Sequence, residues 1–203
     1  MTADNIPAAQ QVRKDFPEHN LPSEVADRFA TFLGTTIKQI FVGLLKKEKI
    51  GSEPLPSSNV SSVYMLLDNQ VAIEFRLDGQ AGSLGVSFFD EISDQEGLFE
   101  EIKKREESFP RFFRTKQLAD VSGLWPANGT ISSVKAYKLP DNYGVLFTKS
   151  LCKNEKIVCF ELDRSEDLLI VCRVTKSSDA APQFVRWEDF PESFPKDLLE
   201  AVF

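Results

Sequence analysis

The sequence predicts an α+β protein built mainly from antiparallel sheet in two meanders, with a long N-terminal amphipathic helix, a middle helix and a short C-terminal helix. Strand-like segments occur in two blocks joined by short turns, and separate stretches show helical spacing of apolar residues. The 203 residues, 42% hydrophobic and 27% charged, suffice for one core. We predict an extended segment at 1–20 and one domain at 21–203, with sub-halves at about 21–108 and 109–203.

The first predicted element is an amphipathic helix from Pro22 to Lys49. Apolar residues between Val25 and Leu45 recur with a period of about 3.6 residues, which is typical of one buried helical face. The lysines at its end suit the negative pole of a helix dipole. Gly34 and Gly43 weaken a helix, and we interpret them as marks of close packing against another element.

A meander of three strands and a middle helix follow. The predicted strands are Val60 to Leu67, Val71 to Leu77 and Leu84 to Phe89. In the second of them, apolar residues alternate with Ala72, Glu74 and Arg76, which is typical of a sheet with one face in water. We interpret the glycine-rich stretch from Asp78 to Gly85 as a hairpin, because it lacks the order of a phosphate-binding loop. The serine-to-glutamate spacing of Ser93 and Glu96 predicts a capped helix that runs to about Glu107.

The second meander and a closing helix complete the predicted fold. If Leu162 faces Leu168 across a turn, Phe160 pairs with Ile170. The tetrapeptide Asp-Phe-Pro-Glu occurs at 15–18 and again at 189–192, each time before a helix-like stretch, and we interpret it as a device that pins helix ends to the core. The predicted strands and helix are Ile131 to Lys138, Tyr143 to Thr148, Ile157 to Leu162, Leu168 to Val174 and the helix Pro195 to Phe203.

Composition excludes several classes of function. The formal net charge of −7 disfavours nucleic acid and anionic membrane surfaces, both of which attract basic proteins. No stretch has the pattern of a signal peptide or of a membrane span, so we expect a cytoplasmic protein. The three cysteines lack metal-type spacing, and His19 is the single histidine. We therefore expect neither a cofactor nor a metal, and no catalytic motif is present.

One segment combines basic and aromatic residues. Within Phe109 to Lys116, the residues Arg111, Phe112, Phe113 and Arg114 form a pattern that can engage an acidic peptide or stack on bases. The alternative is an edge strand or loop whose phenylalanines complete the core. The chain has 17 phenylalanines but only three tyrosines and two tryptophans, which indicates that most aromatics serve the core. Trp125 is an exception, because it lies in a turn-rich loop that favours display, and we add it to the candidate contact surface.

Two families share features with this chain. Asp120 to Gly123, downstream of Arg111 and Arg114, resembles the arginine and D-x-S-x-x-G signature of PilZ domains, but its second glycine is missing and no strand separates the two parts. The predicted helix, three strands and helix, together with the acidic charge, are similar to class I type III secretion chaperones in topology alone, without a shared motif. We do not assign the chain to either family.

Two hypotheses for function follow. The leading one is a cytosolic, non-enzymatic protein-binding module, either an adaptor, a chaperone-like protein or an immunity-type factor. Its partner would be another protein, and a homodimer is possible. The rival is a small-molecule-binding domain or an enzyme that uses carboxylates such as Glu74, Asp90 or Glu161, which no motif identifies.

Overall fold

The structure, a computed structural model, describes residues 20–47, 59–77, 84–124, 129–138, 155–163, 168–174, 180–186 and 200–203. These residues form two antiparallel sheets and two helices, which confirms the α+β class with mainly antiparallel sheet. The helices are α1, Ala26–Ala30, and α2, Gln95–Arg105. No helix within these ranges is long and apolar enough to cross a membrane.

The first sheet has five strands. They are β1 (Ile37–Leu44), β2 (Val60–Leu67), β3 (Ala72–Leu77), β4 (Leu84–Phe89) and β5 (Gln117–Asp120). Antiparallel pairing of β2 with β3 and of β3 with β4 confirms the predicted meander. The strand order is β4-β3-β2-β1-β5, so β5 forms an edge beside β1. Since β5 comes from the predicted second sub-half, this sheet draws strands from both sub-halves; the division itself stays a prediction.

The second sheet contains the second meander. Its strands are β6 (Thr130–Lys138), β7 (Glu155–Asp163), β8 (Leu168–Val174), β9 (Ala180–Arg186) and β10 (Glu200–Ala201), in the order β10-β6-β7-β8-β9. Phe160 pairs with Leu168 and not with Ile170, so the predicted register of β7 and β8 is wrong by two residues. The predicted strand from Tyr143 to Thr148 lies outside the described residues.

The predicted helix from Pro22 to Lys49 is wrong from Thr31 to Lys47, and its last two residues lie outside the described part of the chain. A short 3₁₀ turn at Pro22–Val25 leads into α1, and Gly34 then turns the chain with a φ of +81°, a backbone conformation that favours glycine. The apolar run that follows is strand β1. Its side chains are buried on both faces, so apolar residues stand at consecutive positions, and such a run is indistinguishable from a buried helix by periodicity.

The end of the predicted C-terminal helix is also a strand. Glu200 and Ala201 pair with Lys138 and Tyr137 as the short edge strand β10. The backbone N–H of Val202 donates to the Ala136 carbonyl at 2.8 Å and extends this pairing. Residues 195–199 of the predicted helix lie outside the described part of the chain, as do both copies of Asp-Phe-Pro-Glu, His19 and Trp187.

Two apolar clusters lie on opposite faces of the first sheet. The larger one joins the two sheets, and Phe29 is at its centre, with its ring about 6 Å from that of Phe160 and 6.5 Å from that of Phe75. The smaller one joins the first sheet to α2 through residues such as Tyr64 and Leu98. Each fully buried phenylalanine stabilises the fold by roughly 1.5–3 kcal/mol. The first sheet is therefore the middle layer of three.

The middle layer explains why the prediction for β3 is wrong. The face of β3 that carries Ala72, Glu74 and Arg76 was expected in water, yet Ala72 and Glu74 are buried. Helix α2 covers that face of the sheet. The N-cap of α2 is Asp94 and not Ser93, because the Asp94 carboxylate accepts the Gly97 backbone N–H at 2.8 Å.

Candidate functional site

A short turn between α2 and β5 exposes two adjacent phenylalanines. Residues Arg111–Phe113 form a single 3₁₀ turn, in which the Phe112 side chain is 69% exposed and that of Phe113 is 40% exposed. Their ring centroids are 4.3 Å apart, so the two rings form one apolar surface. Arg111 beside them is exposed as well. A contiguous exposed aromatic surface is unusual, because it gives up the free energy that burial would provide.

Both ends of this turn are fixed to the protein. Before it, Phe109 is only 1% exposed, and the Arg76 guanidinium lies 5.4 Å from the centre of its ring. After it, Arg114 folds back, because its Nε donates to the Phe109 carbonyl at 2.7 Å and its Nη2 donates to the Glu107 carbonyl. The exposed rings therefore stand on a constrained backbone.

The buried carboxylate of Glu106 fixes Thr115, the residue that follows Arg114. It accepts the Thr115 backbone N–H at 2.5 Å and the Thr115 hydroxyl at 3.0 Å. The same carboxylate forms an ion pair with Arg76 of β3. Thr115 in turn lies 3.2 Å from the Ser61 hydroxyl. Since the carboxylate is surrounded by donors, the end of α2 and the chain leading into β5 are tied to the sheet.

A second carboxylate continues this network beneath α2. Glu74 accepts hydrogen bonds from Tyr64 at 3.0 Å and from Ser62 at 3.1 Å, and it pairs with Arg105 of α2 at 2.7 Å. Burial, and then the charge of Glu74, raises the pKa of the Tyr64 hydroxyl. Burial alone would lower the pKa of Arg76, but Glu74, Tyr64 and Glu106 together outweigh it and raise that pKa. The network thus keeps its charges paired.

An open groove lies beside the turn. On one side it is lined by Gln95, Glu96 and Phe99 of α2, and on the other by Lys116 and Leu118, with Lys47 also lining it. Its volume is about 740 Å³. No ion pair of either lysine is found among the described residues. Lys116 follows Phe113 by three residues, so the groove and the exposed rings are neighbours at one end of β5.

Strand β5 forms the wall of this groove and is fixed at both ends. The backbone N–H of Lys116 donates to the Leu44 carbonyl at 2.6 Å, and that of Val121 donates to the Ile40 carbonyl at 2.9 Å. The Leu118 carbonyl faces away from β1 and accepts a hydrogen bond from the Gln95 side chain at 3.1 Å. A polar side chain over an edge strand is a common protection against uncontrolled strand pairing.

The predicted contact residues differ in exposure and in the contacts that they make. Phe112 and Phe113 are exposed together, as the protein-binding interpretation requires, and Arg111 is exposed beside them. Arg114 uses its guanidinium on main-chain carbonyls of its own segment. Trp125 lies outside the described residues, although Leu124 just before it is highly exposed. The sequence pattern placed Lys47 at the end of a predicted helix and Lys116 at the end of the basic and aromatic segment. It did not predict that they meet, because only the pairing of β1 with β5 brings them together.

The other candidates have structural roles in the described chain. Asp120, of the stretch that resembles a PilZ signature, accepts the Ser122 backbone N–H at 2.9 Å, and the Ser122 hydroxyl accepts the Ile40 N–H at 2.9 Å. Asp120 and Ser122 therefore hold the chain at the end of β5 against β1. Of the rival carboxylates, Asp90 pairs with Arg28 and Glu161 with Lys135, which lowers the pKa of Glu161.

A cluster of acidic residues precedes α2. Its member Asp94 caps the helix, and the Gly97 backbone N–H followed by the Ser93 hydroxyl lowers the pKa of the Asp94 carboxyl. Among the described residues no group of three or more metal-type side chains comes together. Within this cluster, Asp94 is the helix cap and Asp90 pairs with Arg28.

The fold and this surface define an α+β protein of three layers with an exposed aromatic turn beside an edge strand. Comparison with known proteins adds no family. No family model, curated protein or solved structure matches the chain. Its function must therefore be argued from the surface itself.

Proposed function

We propose that this protein is a non-enzymatic, cytoplasmic protein-binding module of the adaptor, chaperone-like or immunity type, and that the turn Arg111–Phe113 is the centre of its contact surface. The observation that carries the proposal is the pair of exposed rings of Phe112 and Phe113 on a turn whose ends are fixed. The partner is another protein, since the net charge of −7 disfavours nucleic acid and anionic membranes.

The rigidity of the turn supports a role in binding. A surface that is already ordered loses little conformational entropy when a partner docks, so more of the contact free energy appears as affinity. Binding free energy is commonly concentrated in a few aromatic or arginine side chains near the centre of an interface. Phe112, Phe113 and Arg111 have this composition and lie side by side. Trp125 lies outside the described residues and stays a predicted contact residue.

Co-purification from native host cells tests the proposal. We compare the full chain with a variant that carries Phe112→Ser and Phe113→Ser, and with Leu33→Ser as a matched control. Leu33 is 51% exposed in the turn after α1, so the control also removes an exposed apolar side chain but leaves the proposed surface intact. We expect the wild type and the control to retain the same partner, and the double variant to retain at least about tenfold less.

Two outcomes would contradict the proposal. One is equal recovery of the same proteins with all three chains. The other is the absence of any reproducible partner of the wild type. The melting temperature of each variant is measured alongside, so that a loss of fold is not mistaken for a loss of contact.

A further inference from the structure

The groove beside β5 offers an apolar floor between positive charges. Phe99 and Leu118 supply the floor, and Lys47 and Lys116 supply the charges. Glu96 also reaches the groove, but the two lysines outnumber it, and it lies in the first turn of α2, where the helix dipole favours an acidic residue. In a chain with a net charge of −7, this groove is locally positive.

These lysines differ from the other basic residues around α2. Arg76 and Arg105 are paired with buried glutamates, and Lys103 and Lys104 each pair with a glutamate one turn earlier on the helix. Lys47 and Lys116 line an open cavity instead, and no carboxylate among the described residues pairs with them. Because the described part of the fold does not use the charges of Lys47 and Lys116, these charges are available to a negatively charged ligand.

The shape of the groove favours an extended chain as its occupant. It runs between α2 and the edge strand β5, whose outward Leu118 carbonyl already accepts a hydrogen bond from the Gln95 side chain. An extended peptide in this groove is therefore held mainly through its side chains, and alternate side chains give such peptides their specificity. Along a strand, side chains on one face repeat every second residue, at a spacing of about 7 Å.

We infer that the groove between α2 and β5 binds an extended acidic peptide segment of the partner, with acidic side chains at Lys47 and Lys116 and an apolar side chain between them on Phe99 and Leu118. This inference rests on the proposed function and names the chemistry of its partner. The exposed rings of Phe112 and Phe113 then contact the partner just beyond the end of this peptide.

Two synthetic peptides test this inference on the full chain. They have equal length and a central leucine, which is flanked by aspartates in one and by lysines in the other. Fluorescence anisotropy of the labelled peptides gives the two dissociation constants at low salt. We expect the wild type to prefer the acidic peptide by about tenfold or more, and we expect added salt to weaken that binding, since exposed charges are screened.

Charge reversal in the groove makes the test specific. The variant with Lys47→Glu and Lys116→Glu should lose the preference for the acidic peptide and gain one for the basic peptide. Lys38→Glu with Lys104→Glu is the matched control, because it makes the same change in net charge at exposed positions that do not line the groove. This control should keep the preference of the wild type.

Several results would overturn the inference. They are equal or undetectable binding of both peptides by the wild type, an unchanged preference in the groove variant, tighter binding of a single-stranded oligonucleotide, and self-association of the chain that the groove variant abolishes. If the groove fails the peptide test but the Phe112 and Phe113 variant still loses the partner in co-purification, the proposed function stands and only this inference falls. If the groove binds the acidic peptide as expected but co-purification finds no partner of the aromatic turn, the contact surface in the proposed function is wrong and the peptide specificity of the groove stands.

Discussion

The segment from Glu106 to Lys116 has an inner side and an outer side that use similar residues differently. On the inner side, Phe109 is 1% exposed and Glu106 is buried among donors. On the outer side, three residues further on, Phe112 is 69% exposed. The inner side is used by the fold, whereas the outer side contributes little to the core. Function is therefore to be sought on the outer side, and variants of the two sides should separate stability from binding.

The largest expected difference is between the two phenylalanines. Phe109→Ala should lower the free energy of unfolding by about 4 kcal/mol, because it removes a buried ring and leaves a cavity beside Arg76. Phe112→Ala should change it by less than about 0.5 kcal/mol, as is usual for an exposed side chain. Urea unfolding measures both values. Similar losses for the two variants would erase the distinction between the sides.

The second-largest expected effect on the free energy of unfolding is at Glu106, the buried carboxylate of the inner side. Glu106→Ala should cost about 3 kcal/mol, because it removes one of the two buried carboxylates that pair with Arg76 and leaves the Thr115 backbone N–H without its acceptor. Its exposed neighbour provides the control, and Glu107→Ala should stay within about 0.5 kcal/mol of the wild type. Denaturant unfolding at neutral pH compares them. A loss below about 1 kcal/mol for Glu106→Ala would show that the network is not a main support of the turn.

A substitution in β1, the strand beneath the network, should have a smaller effect on stability. A Cβ atom at Gly43 of β1 would lie 2.8 Å from the Ser61 hydroxyl and 3.0 Å from the Tyr64 ring. Gly43→Ala should therefore cost about 2 kcal/mol through overpacking. Gly123→Ala is the matched control, since nothing lies within 4 Å of a Cβ at that position. If thermal unfolding shows equal melting temperatures for the two variants, the close approach at Gly43 is not real.

The smallest expected effect depends on pH. The pKa of Asp94 is lowered from 3.8 chiefly by the Gly97 backbone N–H, so its capping contribution is present above that value and is lost as the pH falls through the folded pKa. The melting temperature of Asp94→Ala should therefore lie below that of the wild type at neutral pH, and the gap should close below pH 3.8. Ser93→Ala should show a smaller gap, because Asp94 is the cap. A gap that does not change with pH would contradict this assignment.

Local patterns predicted much of the sheet. Strands β2, β4 and β8 have the predicted bounds, because turn-forming residues flank compact apolar runs. β1 was predicted as helix, since burial on both of its faces removed the alternation that marks a strand. β5 has only four residues, too few for a pattern, and it is a strand through its pairing with β1.

The candidate site was predictable in part for a similar reason. The basic and aromatic residues from Arg111 to Arg114 are adjacent in sequence, so their pattern was visible. The network beneath them joins Glu74 to Arg105 and Arg76 to Glu106, residues about 30 positions apart that only the packing of α2 on the sheet brings together. The alternation around Glu74 indicated a face in water because the helix that covers it could not be placed from the sequence.

The most direct test of the division between the two sides measures binding and unfolding on the same variant. For the chain with Phe112→Ser and Phe113→Ser, we predict a free energy of unfolding within about 1 kcal/mol of the wild type, together with the loss of the partner that the wild type and Leu33→Ser retain. Retention of that partner by the folded double variant would contradict the account.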